Sequence, residues 1–93
     1  MYETHATFLQ EKVEKMKSGK RINQIKQLGL TIAYYRKLKG MTQESLASAV
    51  NLSRTHISNL EAPNMPTSIS LEKLFDISEV LNVPVYKLLD FRN

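Results

Sequence analysis

The chain has 93 residues, 42% of them apolar and 24% charged, which is the balance of one globular domain with room for a short arm. It has no cysteine, so disulfide frames, thiolate metal sites and cysteine nucleophiles are excluded; no apolar run approaches the ~20 residues of a membrane span, and the start Met1-Tyr2-Glu3-Thr4-His5 is unlike a signal peptide, so the chain reads as soluble and cytoplasmic. The net charge of +4 is unevenly spread: residues 1–20 carry +1, residues 21–40 carry +5 with no acid, residues 41–60 cancel and residues 61–93 carry −2. Such asymmetry suits a polyanion partner, although a solvated lysine-rich helix face explains it as readily.

Every segment has helical rather than strand periodicity. Thr7 and Gln10 form a capping-box pattern, and Leu9, Val13 and Met16 fall on one helix face, with Ser18-Gly19 as the stop. A second helix is predicted from about Asn23 to Lys39, with Ile25, Leu28, Ile32 and Tyr35 along its apolar side and Gly40 ending it. Thr42 is a suitable N-cap for a third helix, with Glu44 in the first turn where the helix dipole favours an acid. That helix ends near Val50, and Asn51 stands where the chain must turn through a left-handed residue.

Ser53 caps a fourth helix running to about Glu61. The stretch Ala62-Pro63-Asn64-Met65-Pro66-Thr67 is a loop, because each proline disfavours helix in the residue before it. Ser70 opens a fifth helix carrying Leu71, Leu74, Phe75, Ile77 and Leu81. Beyond Asn82, Pro84 enters the first turn of a last short helix with Val85, Leu88 and Leu89. The fold class is therefore all-α: a compact five-helix domain over residues 21–93, preceded by a helical arm over residues 1–20.

Gln43 to Leu60 is the informative stretch. Two short helices joined by a turn of three or four residues cross steeply rather than lying antiparallel. Leu46, Ala47 and Val50 face inward from the first, and Leu52, Ile57 and Leu60, with Ser53 beside them, from the second. The opposite face of the second helix holds Thr55, Ser58 and Asn59, with Arg54 at its margin. These are small donors and acceptors plus one guanidinium, with no acid. Such a face can read base edges in a major groove, where arginine pairs with guanine and asparagine with adenine. A merely solvated helix tends to carry Glu–Lys pairs at i, i+4, and this one has none.

The segment Met41-Thr42-Gln43-Glu44-Ser45-Leu46-Ala47 followed by Asn51-Leu52-Ser53-Arg54-Thr55-His56-Ile57-Ser58-Asn59-Leu60-Glu61 resembles the helix-turn-helix of phage repressors of the lambda type and their Xre-type bacterial relatives. Leu28-Gly29 with Tyr35-Arg36-Lys37-Leu38-Lys39-Gly40 resembles the family's first helix. Ser70-Leu71-Glu72-Lys73-Leu74 and Leu81-Asn82-Val83-Pro84-Val85 resemble its last two. The resemblance implies that Gln43 holds DNA backbone and braces the recognition helix, that Arg54, Thr55 and Asn59 contact bases with Ser58 close to them, and that Arg36 and Glu61 form a structural ion pair. Asn51 replaces the usual glycine, and Ala62-Pro63 replaces the usual basic residue and glycine. The loop that follows lacks basic residues, so backbone contact there rests on Asn64, Thr67, Ser68 and main-chain N–H groups, with Ser53 and Gln43 at the helix starts.

The expected function is a sequence-specific double-stranded-DNA-binding transcriptional regulator of a bacterium, plasmid or phage. It would act as a homodimer on a pseudo-palindromic operator, with the C-terminal segment 83–91 as candidate interface and the arm as second choice. The rival reading is a protein-interaction module, such as an antitoxin or anti-activator, on the same fold. His56 suits packing or a phosphate-adjacent position better than base contact. Of the adjacent Tyr34 and Tyr35, one belongs to the core and one to the surface. Lys12, Lys15, Lys17, Lys20 and Arg21 can follow phosphates or simply face solvent. No metal site is expected, since His5 and His56 are the only histidines and sit in unrelated segments. No nucleophile constellation and no phosphate-cradling glycine loop is present, so no enzyme activity, cofactor or small-molecule substrate is expected.

Overall fold

A computed structural model describes residues 2–62, 64 and 66–91, with side chains described from Gly19 onward. Pro63 and Met65 of the expected loop, and the side chains of Leu9, Lys12, Val13, Lys15, Met16 and Lys17 of the arm, lie outside the described residues, while Lys20 is exposed. The helices are α1 (Tyr2–Leu38), α2 (Gln43–Ala49), α3 (Arg54–Glu61), α4 (Leu71–Leu81) and α5 (Val85–Leu88). The described residues form no strand.

The expected break at Ser18-Gly19 does not occur: arm and first domain helix are one continuous 37-residue helix. A glycine ends a helix when it turns left-handed, and only Gly40 among the described glycines has positive φ, at 75°. No proline interrupts the stretch, and Gly19 has only the ~1 kcal/mol handicap of a helical glycine relative to alanine. Six anticipated segments are therefore five helices.

Three of them end in the same way. Gly40, Asn51 and Asn82 adopt φ of 75°, 57° and 56°. In each case the left-handed residue's N–H and that of its successor turn back to the last carbonyls: Gly40 N to Lys37 O and Met41 N to Arg36 O, Asn51 N to Ser48 O and Leu52 N to Ala47 O, Asn82 N to Glu79 O and Val83 N to Ser78 O. This pattern satisfies carbonyls that a helix end leaves orphaned. Asparagine is the non-glycine residue best suited to that conformation, so Asn51 fills the family's glycine position without a break in the turn.

The starts of α2, α3 and α4 are capped as the residues suggest, whereas Thr7, expected to open the first helix, stands inside α1. Thr42 accepts from Ser45 N–H, and Ser45 Oγ returns to the Thr42 backbone, each at 3.0 Å. Ser70 accepts from Lys73 N–H at 3.1 Å. Pro84 is the N-cap of α5 rather than its first residue. Two lysines reach helix C-termini: Lys73 Nζ lies 2.7 Å from Val50 O, and Lys39 Nζ 2.7 Å from Val80 O, where the dipole favours a cation.

The core lies where α1, α2, α3, α4 and α5 converge on Ile32, Leu46, Ile57, Leu60, Ile77 and Leu88, all fully buried. Leu28, Tyr35, Met41 and Leu52 pack at its edge. Tyr34 is exposed and meets Tyr35 edge-on at 5.1 Å between ring centroids, dividing the pair into one surface and one core-edge residue. Leu71 and Phe75 belong to the α4 apolar pattern but point outward, at 63% and 50% exposure. Among the described residues no helix is long and apolar enough to cross a membrane.

Candidate nucleic-acid interface

The outward face of α3 is built by what holds its inward face. Ile57 and Leu60 are buried beneath it. On the other side Arg54 and Thr55 are exposed, and Ser58 and Asn59 are half-buried. The first turn is fixed by Ser53, whose hydroxyl accepts from His56 N–H at 3.0 Å. Ser53 itself is exposed, which corrects its inward assignment: a residue just before the helix has an extended backbone, here φ −75° and ψ 152°, and does not follow the helical wheel.

At the opposite end, α3 is locked to α1 and α2 through one carboxylate. Arg36 Nε donates to Glu61 Oε2 at 2.7 Å, and Arg36 Nη2 donates to Glu61 Oε1 at 2.8 Å, a two-pronged pair with both side chains buried. Arg36 Nη1 donates to Met41 O at 2.7 Å, tying the same guanidinium to the α1–α2 turn. Gln43 Nε2 donates to Glu61 Oε1 at 3.0 Å. The Glu61 hydrogen bond holds the guanidinium pKa above its already high ordinary value, against the opposing pull of burial. Because desolvation offsets most of the attraction in such a pair, its contribution is to orientation more than to net stability.

The third constraint is a glycine. A Cβ placed on Gly29 would lie 1.8 Å from the carbonyl oxygen of Leu60 and 2.9 Å from its carbonyl carbon. So α1 and the end of α3 touch backbone to backbone, and only hydrogen fits between them. Sequence reasoning placed Gly29 in the first helix without giving it a task. An isolated glycine inside a strong helical pattern marks the position without saying what packs there, since Gly19 in the same helix has nothing within 4 Å.

The remaining predicted positions fall around this frame. Gln43 is at the first residue of α2, half-buried, with its amide turned to Glu61. Ser58, Lys37 and Gln43 share the wall of an open cleft of about 540 Å³ between α1, α2 and α3, together with Arg36, Glu61 and Leu30. Asn64 is exposed and Thr67 half-buried on the α3–α4 connection. His56 sits at the edge of α3 with Nε2 3.2 Å from Ser68 O, joining the recognition helix to the loop beyond. Lys39 and Lys73 are engaged at helix ends. No group of three or more potential metal ligands occurs among the described residues.

A helix-turn-helix family model matches residues 32–88, from the middle of the domain part of α1 to the last residue of α5. The chain is 36% identical over 63 residues to the HTH-type transcriptional regulator SinR of Bacillus subtilis (strain 168), an alignment covering 68% of this chain and 56% of SinR. It thus spans little more than half the length of that relative. Among solved structures, that of SinR, the master regulator for biofilm formation, in complex with DNA superposes with a TM-score of 0.62 at 36% identity, covering 68% of this chain and 98% of that one. A hypothetical transcription factor, NHTF from Neisseria, superposes with a TM-score of 0.65 at 29% identity, covering 74% of this chain and 75% of the other. Five helices in the expected order, a left-handed turn at Asn51 and these matches agree: the chain belongs to the helix-turn-helix family of the lambda-repressor, Xre type.

Proposed function

We propose that the protein is a sequence-specific double-stranded-DNA-binding transcriptional regulator that lays α3 in the major groove. The observation that carries this reading is the outward face of α3: Arg54, Thr55, Ser58 and Asn59, free of acids, on a helix clamped at its far end by Arg36, Gln43 and Gly29. A rigid, polar, non-acidic helix face suits base edges, which present fixed donors and acceptors. The existence of a DNA complex for the similar SinR domain supports the same docking here. Arg54, Thr55 and Asn59, with Ser58 beside them, read sequence in this scheme. Gln43, Ser53, Asn64 and Thr67 contact sugar-phosphate and set the register.

One short helix covers only a few base pairs. A homodimer on a pseudo-palindrome, with half-sites about 34 Å apart, supplies the length of site that specificity needs. The protein then acts on DNA in the cytoplasm, without catalysis. A protein-interaction role for the same fold has no observation of its own to favour it.

Selection of bound duplexes from a random pool tests the reading. An enriched two-fold-symmetric sequence is the expected result. Recovery of unrelated sequences, with affinity that depends on salt alone, would refute sequence-specific regulation and leave only charge-driven binding.

A further inference from the structure

Residues 21–40 carry five cations and no acid, but the fold does not leave all five available. Arg36 is neutralised by Glu61, and Lys39 Nζ is held 2.7 Å from Val80 O. Arg21 and Lys26 precede Gly29, where α1 meets the end of α3. Lys37 is different. It is exposed, it has no hydrogen-bond or ion-pair partner among the described residues, and it stands on the wall of the cleft between α1, α2 and α3.

The cleft has a definite chemistry. Leu30, Ala33 and Lys37 fall at i, i+3 and i+7, so one face of α1 forms its long side. Gln43 of α2 and Ser58 of α3 stand across from them. The single acid of the wall, Glu61, is buried and bonded to Arg36 and Gln43, which leaves one uncompensated positive charge at Lys37. Gln43 gives one amide hydrogen to Glu61 and keeps a second. An ammonium beside a neutral amide donor, with no free carboxylate to repel, suits one singly charged anion.

Shape and neighbourhood select the anion. The cleft, of about 540 Å³, lies open, whereas a small-molecule site buries most of its ligand. An open trough fits one unit of a chain that continues past it on both sides. Leu30, 51% exposed in the same wall, offers an apolar surface to a sugar. Ser58 belongs both to this wall and to the outward face of α3, so a chain in the cleft runs beside the groove-facing side chains. The α3–α4 connection cannot supply the charge, because residues 62–70 contain no lysine or arginine.

We propose that the cleft takes a backbone phosphate of the DNA strand bordering the groove that α3 enters, and that Lys37 is its ammonium contact. This contact rests on α3 entering the major groove and adds a sequence-independent anchor on the α1 side. Since Arg36, Glu61 and Gly29 fix α1 against α3, a phosphate held by Lys37 and Gln43 sets the depth and register of α3.

Equilibrium binding of the full chain to a selected duplex and to one of unrelated sequence, each across a salt series, tests this. Lys37→Gln should leave the melting temperature unchanged, because the side chain is exposed and unpaired. Its log–log salt slope should be shallower by about 0.9, with binding near 0.1 M salt about five- to tenfold weaker on both duplexes alike. Lys37→Arg keeps the charge and should keep the native slope. Lys87→Gln, which removes an exposed cation on α5, should bind as the native chain does. A native slope in Lys37→Gln, a loss confined to the selected duplex, or an equal change in Lys87→Gln would each overturn the contact. Failure of base reading shows separately, as a native chain that binds both duplexes equally.

Discussion

Gly29→Ala is expected to lose about 3 kcal/mol or more of folding stability, the upper range for overpacking a well-fitted interior. For a domain of this size that lowers the melting temperature by about 10–20 °C. The new methyl would sit 1.8 Å from Leu60 O, and its next neighbours, the Leu60 carbonyl carbon and the Glu61 Cα, are backbone as well. No rotamer change relieves it. Restoring an ordinary carbon–oxygen contact needs roughly 1.5 Å of separation between α1 and α3. That movement would also stretch the 2.7–2.8 Å bonds between Arg36 and Glu61 and disturb the packing of Ile32 against α3. The sign is diagnostic, because helix propensity alone would make alanine about 1 kcal/mol better than glycine. Thermal unfolding followed by circular dichroism decides: an unchanged or raised midpoint would mean that the two backbones do not touch.

The second large effect is expected at Glu61. Glu61→Ala leaves the buried Arg36 guanidinium without its two carboxylate bonds and Gln43 without its acceptor. Breaking one side of a buried pair costs about 3–5 kcal/mol, mainly because the remaining charge stays desolvated. Replacing both partners by apolar residues, Arg36→Met with Glu61→Leu, should recover most of that loss, since the pair itself nearly cancels its own desolvation. Denaturant titration of Arg36→Met, Glu61→Leu and the double variant measures the coupling. A Glu61→Ala variant as stable as the native chain would show that the pair does not anchor α3. The double variant separates fold from function: it should be folded yet weaker on DNA, because α3 loses its fixed orientation.

Much of this architecture is legible before any coordinates. Caps are local chemistry, so Thr42, Ser53 and Ser70 announce the starts of α2, α3 and α4. Asn51 is readable as the turn because few other residues accept its φ of 57°. What is not legible is set by distance in sequence or by a choice between near-equal states. Ser18-Gly19 looks like a stop, but a glycine ends a helix only if something draws it into the left-handed region, and nothing local does. Gly29 meets Leu60 thirty-one residues away, and no periodicity announces that contact. Phe75 follows the apolar pattern of α4 and still faces outward, since periodicity marks a stripe without fixing how wide an arc the neighbours cover. The polar face of α3 was visible as a pattern, whereas its clamp, with Gln43 turned toward Glu61, required the fold.

The central claim is that Arg54 and its neighbours on α3 read base edges. The most direct measurement is the affinity of the native chain and of Arg54→Ala for a selected site and each of its single-base-pair variants, at one salt concentration and then across a salt series. The account predicts a loss of about 1–3 kcal/mol on the selected site, relaxed preference at one base pair, and a nearly unchanged salt slope. Equal weakening on every sequence, with the slope reduced by about 0.9, would assign Arg54 to a phosphate and contradict base reading by this residue.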